Sequence, residues 1–366
     1  MQLAFILWNA NPSVLNSFGI DAGFDFRWYG ILFASGFVFG QLIIAYIFNA
    51  EGKPAKDVEA LTMYALIGTV LGARLGHCLF YEPSIYLADP IKILYIWEGG
   101  LASHGAAIAI MISIWLYSRK RPGQSFLWVI DRVVITVALG GALIRMGNLA
   151  NSEIIGKPTD LPTGFVFARS GYDAIERPYG SKIENLTITP NGKDTTIDGQ
   201  SLMGLTINFS IEKGSVPEET VNSLTSTVFP SQLQNNVEAI EHFKVIYQNL
   251  NPVVETKDGA YQGSFQVYGI PRHPSQLYES ISTFLTFIFL FYLWFRYKDK
   301  TPEGLLFSLF VIINFSLRFL YEFSKEPQVA FENSMSLNMG QLLSIPLVLI
   351  GIFTLWLVLS KQKKNA

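Results

Sequence analysis

The sequence predicts an α-helical integral membrane protein with seven transmembrane helices, the N-terminus outside, the C-terminus inside and a small α+β extracytoplasmic head domain. Three observations predict it. Half of the 366 residues are hydrophobic and only 15% are charged, with a mean hydropathy of +0.30. Apolar runs near the roughly 20-residue length that crosses a bilayer recur along the chain. Lys and Arg collect in alternate connections between those runs, the asymmetry that orients membrane proteins.

The runs lie at Trp28 to Phe48, Val58 to Tyr81, Leu101 to Tyr117, Phe126 to Asn148, Pro274 to Phe295, Gly304 to Phe323 and Asn338 to Ser360. Lys53 and Lys56 follow the first run, Arg119, Lys120 and Arg121 the third, Arg296, Lys298 and Lys300 the fifth, and Lys361, Lys363 and Lys364 the last. These ends are expected inside. The short segments of the other set carry only Arg27, Lys92 and Lys325. The chain therefore divides into residues 1–150 with the first four helices, residues 151–272 as the head, and residues 273–366 with the last three helices.

Between Glu82 and Trp97, two prolines and several aromatics predict a helix along the outer interface, near residues 83–97. The N-terminal stretch MQLAFILWNANPSVLNSFG lacks a basic region and a clear cleavage site. It reads as an interfacial segment, not a signal peptide. Within 151–272, TITPNGKDTTI predicts a hairpin about its Asn-Gly pair, LTINFSIEKG a further strand and QLQNNVEAIEHFKVIYQNL a helix.

The net charge of −2 argues against a nucleic-acid partner, and the single cysteine, Cys78, excludes an internal disulfide framework or a Cys-rich metal site. No cofactor or metal is indicated. Cys78 beside His77 reads as a packing residue of its helix.

Charge inside an apolar run is the informative exception. A charged side chain near mid-bilayer costs roughly 2.5–3.5 kcal/mol on insertion scales, so such residues usually mark function. With the orientation above, Arg145, Arg318, Arg74, Tyr29, His104 and His273 all fall toward the outer side of six different runs. Snorkelling explains any one of them; a cavity open to the outer leaflet explains the set. Arginines that converge at headgroup depth suit a phosphate, whose oxygens fit the guanidinium fork. His104 could serve as a base toward an acidic nucleophile such as a thiol, or position one. Asp131 and Arg132, at the inner end of the fourth run, read as interfacial anchors.

Five stretches carry a resemblance. RWYG at Arg27–Gly30, the segment from GARLGHCLFYEP to Gly105, IRMGNLANSEIIGKPT at Ile144–Thr159, RHPSQLYE at Arg272–Glu279 and LRFLYEFSKEPQ at Leu317–Gln328 resemble, in order and spacing, the prolipoprotein diacylglyceryl transferases of bacteria. The resemblance implies an enzyme of the bacterial cytoplasmic (inner) membrane, active toward the outer leaflet. It would move the diacylglyceryl group of phosphatidylglycerol onto the lipobox cysteine of preprolipoprotein signal peptides and release glycerol phosphate.

Position by position, the resemblance implies His104 as the base, Arg145, Asn148, Glu153 and Gly156 as the central signature, Arg318 and Glu322 in the sixth run, and Tyr29 in the first. His104, Arg145 and Arg318 are the expected catalytic residues; Arg145, Tyr29, Asn148, Glu153, Gly156, Arg318, Glu322 and His273 are expected to bind the lipid. The sequence departs from the family pattern at Ile144, Leu149, Ala150 and Lys157, and Asn314 stands where many members carry Tyr. Two other readings exist. A phospholipid or small-molecule transporter or flippase would distribute charge through the membrane depth and repeat one half in the other, neither of which occurs here. A lipid-binding structural protein would need many of the same residues.

Overall fold

A computed structural model describes residues 5–20, 26–95, 100, 102–180, 182–326, 332 and 335–365. Trp97, Leu101, Pro327 and Gln328 of the predicted segments lie outside these residues. In chain order the helices are α1 (Val14–Ser17), α2 (Trp28–Ala50), α3 (Ala55–Phe80), α4 (Pro83–Ala88), α5 (Ser103–Ser118), α6 (Phe126–Ala150), α7 (Arg169–Tyr179), α8 (Glu218–Ser223), α9 (Phe229–Asn235), α10 (Ser275–Tyr297), α11 (Leu305–Tyr321) and α12 (Met339–Asn365). The chain forms two compact units: residues 30–147, 279–322 and 331–366 make the apolar helical unit, and residues 1–29, 148–278 and 323–330 the other.

In the helical unit, six helices among the described residues are long and apolar enough to cross a membrane: α2, α3, α6, α10, α11 and α12. The protein is therefore a multi-pass membrane protein. The remaining apolar helix, α5, has 16 residues, a rise of about 24 Å against a hydrocarbon core of about 30 Å. It lies tightly on α3 because Gly68, Gly72 and Gly76 form one stripe at four-residue spacing. A Cβ on Gly72 would stand 2.5 Å from the carbonyl oxygen of Gly105. Small residues at such a stripe let two backbones approach, which is the main source of packing between helices in lipid.

The single interfacial helix expected over Glu82–Trp97 is instead α4 followed by a 3₁₀ turn at Pro90–Leu94. Pro90 disfavours helical backbone at the residue before it, and Asp89 lies outside the helical region at φ −136° and ψ 82°. Arg74 does not reach for a headgroup. It is 2% exposed, its Nε donates to the Ile93 carbonyl at 2.9 Å and its Nη2 to that of Lys92 at 2.6 Å, and its guanidinium lies over the Tyr86 ring.

Asp131 and Arg132 are not interfacial anchors either; both side chains are fully buried. Arg132 Nη2 grips both carboxylate oxygens of Glu51 at 3.0 Å, and Trp294 Nε1 donates to the same carboxylate. Asp131 accepts from the backbone N–H of Gly304 (2.7 Å) and of Phe307 (2.8 Å), which satisfies the first turn of α11 as a capping side chain would. Buried charge survives here because each group is paired and hydrogen-bonded.

The second unit is built on strands β1 (Ile6–Trp8), β2 (Phe165–Phe167), β3 (Glu184–Pro190), β4 (Thr195–Ile197), β5 (Gln200–Glu212), β6 (Phe243–Lys244), β7 (Val253–Lys257) and β8 (Ala260–Gly269). One sheet runs β3-β5-β8-β6, with β4 also on β5 and β7 also on β8. Ile188, Leu205, Ile207, Phe265 and Val267 of its core pack with Phe229 and Leu233 of α9. The N-terminal stretch expected at the interface contributes β1, which pairs in parallel with β2.

The hairpin expected about Asn191–Gly192 does not form, because β3 and β4 both pair with β5 rather than with each other. A two-residue type I′ turn needs positive φ at both central residues; here Gly192 has it and Asn191 does not. Asp198–Gly199 (φ 54° and 81°) and Asp258–Gly259 (φ 52° and 79°) do, and they close the β4–β5 and β7–β8 hairpins. The helix expected over the Gln232–Leu250 stretch ends at Asn235. Asn236 turns its Oδ1 back onto the N–H groups of Glu238 and Ala239, an Asx turn that competes with helix continuation. A 3₁₀ turn and the short strand β6 follow.

Candidate active site

Arg145 lies in the penultimate turn of α6 and Arg318 in the last turn of α11, and both line one cavity of about 160 Å³. Glu279, Asn314 and Tyr321 line it too. The hydroxyl of Ser280 donates to the Ala142 carbonyl at 2.9 Å, fixing α10 against α6 one turn below Arg145. Arg145 Nε then meets Glu279 Oε2 at 2.5 Å. Two guanidiniums and one carboxylate line the cavity, and a second carboxylate, Glu322, pairs with Arg318, so the charges balance while the guanidinium forks supply the donors that suit an oxyanion. Arg318 is held more loosely, 3.6 Å from Glu322 Oε1 and with its side chain 43% exposed.

Glu322 is fixed from its other side, since Asn338 Nδ2 donates to Oε2 at 3.0 Å. Close approach by α12 depends on Gly340, where a Cβ would come 2.6 Å from the Glu322 carboxyl carbon. Val137 and Gly141 of α6 line both this cavity and a second, apolar one of about 260 Å³ between α2, α3, α5 and α6. A polar chamber and a hydrocarbon chamber thus share a wall.

The other predicted residues fall elsewhere. His104 is not among the residues lining the arginine cavity; its ring stands 5.6 Å from that of Tyr81 and 6.0 Å from that of Phe80. Tyr29, Asn148, Glu153, Gly156 and His273 belong to the sheet-containing unit. There Glu153 accepts from Asn148 Nδ2 (3.3 Å) and Asn151 Nδ2 (2.6 Å), and its backbone carbonyl from Gln276 Nε2.

Gly156 sits where chain meets chain. A Cβ on it would be 2.6 Å from the carbonyl oxygen of His273, so its absence of side chain is a packing requirement. Arg272 ties this knot, donating to the carbonyls of Gly156 and Glu241 and to Glu326 Oε1 at 2.9 Å. His273 Nδ1 is 3.3 Å from the Tyr278 hydroxyl, and burial holds its imidazole below the usual value. Glu279 is the residue that reasoning from sequence passed over as a site. Its signal was present, as a carboxylate in the first turns of an apolar helix.

Fold and site define a multi-pass membrane protein with an arginine-lined cavity among its apolar helices. Residues 17–357 match the family described as Prolipoprotein diacylglyceryl transferase. Among curated relatives, the phosphatidylglycerol--prolipoprotein diacylglyceryl transferase of Tolumonas auensis is 35% identical over 98% of this chain and 99% of its own. The proteins of the same name from Chloroherpeton thalassium (33%, covering 96% and 94%) and Porphyromonas gingivalis (34%, covering 98% and 96%) are similarly close. This chain belongs to the prolipoprotein diacylglyceryl transferase family, and it is a transferase.

Proposed function

We propose that the protein transfers the diacylglyceryl group of phosphatidylglycerol to the thiol of a lipobox cysteine in a preprolipoprotein, the first step of lipoprotein maturation. One observation carries this reading beyond family membership: the cavity of Arg145 and Arg318 shares Val137 and Gly141 with an apolar cavity, as a ligand with a phosphate head and acyl tails requires. In the reaction the cysteine sulfur bonds to the glycerol carbon attached to phosphate, the carbon–oxygen bond breaks, and glycerol phosphate leaves with one more negative charge than the diester had. Arginines preorganised at that phosphate lower the barrier as charge develops. Glu279 orients Arg145 through its Nε.

In this reading α5 completes a set of seven spans, the N-terminus is outside and the C-terminus inside, and the site faces the outer leaflet of the inner membrane. The lysine and arginine asymmetry supports that orientation. His104 takes the thiol proton, and Tyr29, Asn148, Glu153, Gly156, His273 and Glu322 shape lipid binding directly or by packing. Family membership favours transfer over transport. The test is transfer of labelled diacylglyceryl from phosphatidylglycerol to a lipobox peptide by the purified protein. Labelling of the Cys peptide and not of its Cys→Ser control is expected; a silent wild-type protein would refute the reading.

A further inference from the structure

The sheet-containing unit has its own cavity, of about 350 Å³, within the range of roughly 300–1,000 Å³ typical of ligand sites. Asn151, Ser152, Ser170, Glu238 and His242 are on its wall. Four buried side-chain atoms there, Asn151 Oδ1, Ser152 Oγ, Ser170 Oγ and His242 Nδ1, have no hydrogen-bond partner among the described residues. His242 is only 7% exposed. A buried polar atom left unsatisfied is costly, so four on one wall call for an occupant that hydrogen-bonds. The cavity exceeds the ~30 Å³ share of one water by an order of magnitude.

Charge narrows the class of occupant. Arg169 and Arg272 face Asp173, Glu238, Glu241 and Glu326 across the lining. Both arginines are already ion-paired, Arg169 with Asp173 at 2.5 Å and Arg272 with Glu326 at 2.9 Å. Burial, and then the nearby Arg272 charge, push the His242 imidazole down to about 3, so it is neutral and adds no positive charge. The net acidic wall disfavours an anion and favours N–H donors and cations. Among the described residues no three His, Cys, Asp or Glu side chains gather as metal ligands.

The wall includes a strained stretch of backbone just after Asn151. Ser152 and Ile154 have φ of 55° and 56°, a conformation uncommon for any side chain and a real outlier for a β-branched one. Such strain persists only where its surroundings hold it.

We propose that this cavity docks the polar polypeptide that follows the acceptor cysteine of the protein substrate, an extended segment that offers backbone N–H groups and lysine side chains. The inference rests on the transferase reading above for the identity of that polypeptide.

The test uses the full-length protein in phosphatidylglycerol-containing nanodiscs and two peptides sharing one signal helix and cysteine. One ends just after the cysteine; the other continues into a Lys/Ser extension bearing a photo-crosslinker. Crosslinks are expected within residues 151–155, at 170 or within 238–242. Ser170→Leu fills the cavity without removing a hydrogen bond. It should cut that crosslinking and raise KM for the extended peptide by about fivefold or more, with kcat and the KM of the short peptide unchanged. Glu238→Lys, at an exposed position, should weaken the Lys extension and not a Glu version.

Crosslinks elsewhere, or equal KM changes for both peptides, would overturn the docking site. Crosslinking is read without turnover. Capture at this cavity by a protein that transfers nothing would sink the transferase reading alone, and normal transfer with no capture here would sink this inference alone.

Discussion

The Nε of Arg145 lies 2.5 Å from Oε2 of Glu279, and this pair turns one charge of α6 into an oriented one. A guanidinium held at Nε by a carboxylate has its fork fixed in direction, which is what recognition of phosphate by paired hydrogen bonds needs. Arg318, on the same cavity, stands 3.6 Å from Oε1 of Glu322, just past the end of α11.

Arg145→Lys keeps the charge and loses the fork. Lipid binding and peptide transfer should both fall, transfer by roughly tenfold or more, in a folded protein, and Arg145→Gln should be worse. His104→Gln should instead slow transfer while phosphatidylglycerol binding stays near normal, since a base for the thiol does not hold the lipid. Lipid binding and lipidation measured side by side decide it: equal loss of binding in both variants would make the arginine a structural anchor.

Two glycines should fail differently. Gly156→Ala drives a Cβ to 2.6 Å from a backbone carbonyl that cannot swing away; a loss of about 1–3 kcal/mol is expected, as for other overpacked sites, seen as a lower melting temperature. At Gly340→Ala the nearest atoms belong to the end of the Glu322 side chain, which can move. Its melting temperature should hardly change while transfer declines, because Glu322 leaves Asn338. Matching losses of stability would contradict this distinction.

Acid should weaken the sheet-containing unit through His242. Its folded pKa is lowered to about 3, whereas an unfolded imidazole titrates near 6.5. Between those values the unfolded chain binds the additional proton, so stability rises with pH through this window and levels off above it. The slope reaches about 1.4 kcal/mol per pH unit. Denaturation of wild type and His242→Gln across pH 4–7 should show a shallower slope in the variant; parallel curves would exclude His242 as the source.

Orientation can be read chemically. In a Cys78→Ala background, a cysteine replacing Lys120 in intact cells should be shielded from an impermeant outside label, and one replacing Lys193, exposed between β3 and β4, should react. The reverse pattern would invert the proposed topology and remove the outer-leaflet site.

Membrane helices were legible in the sequence because a bilayer demands apolar length and nothing subtler, and Arg145 and Arg318 stood out because charge in such a run is costly. The head was legible only as strand-like and turn-rich. Its hairpins sit at Asp198–Gly199 and Asp258–Gly259, while the Asn-Gly pair expected to make one lies between β3 and β4, which both pair with β5, a choice that depends on which strands find each other.

The sequence alone therefore determined the membrane class, the charged residues that a lipid phosphate could meet, and a family resemblance strong enough to name the chemistry. Only the tertiary structure decided their partners. It matched Arg145 with Glu279, gave Arg74 to the carbonyls of Lys92 and Ile93, closed Arg132 on Glu51, and grouped Ser152, Ser170 and His242 around one cavity. Hydropathy sums over neighbours along the chain, whereas an ion pair or a cavity depends on side chains brought together from distant segments, so its outcome is fixed by packing and not by local pattern.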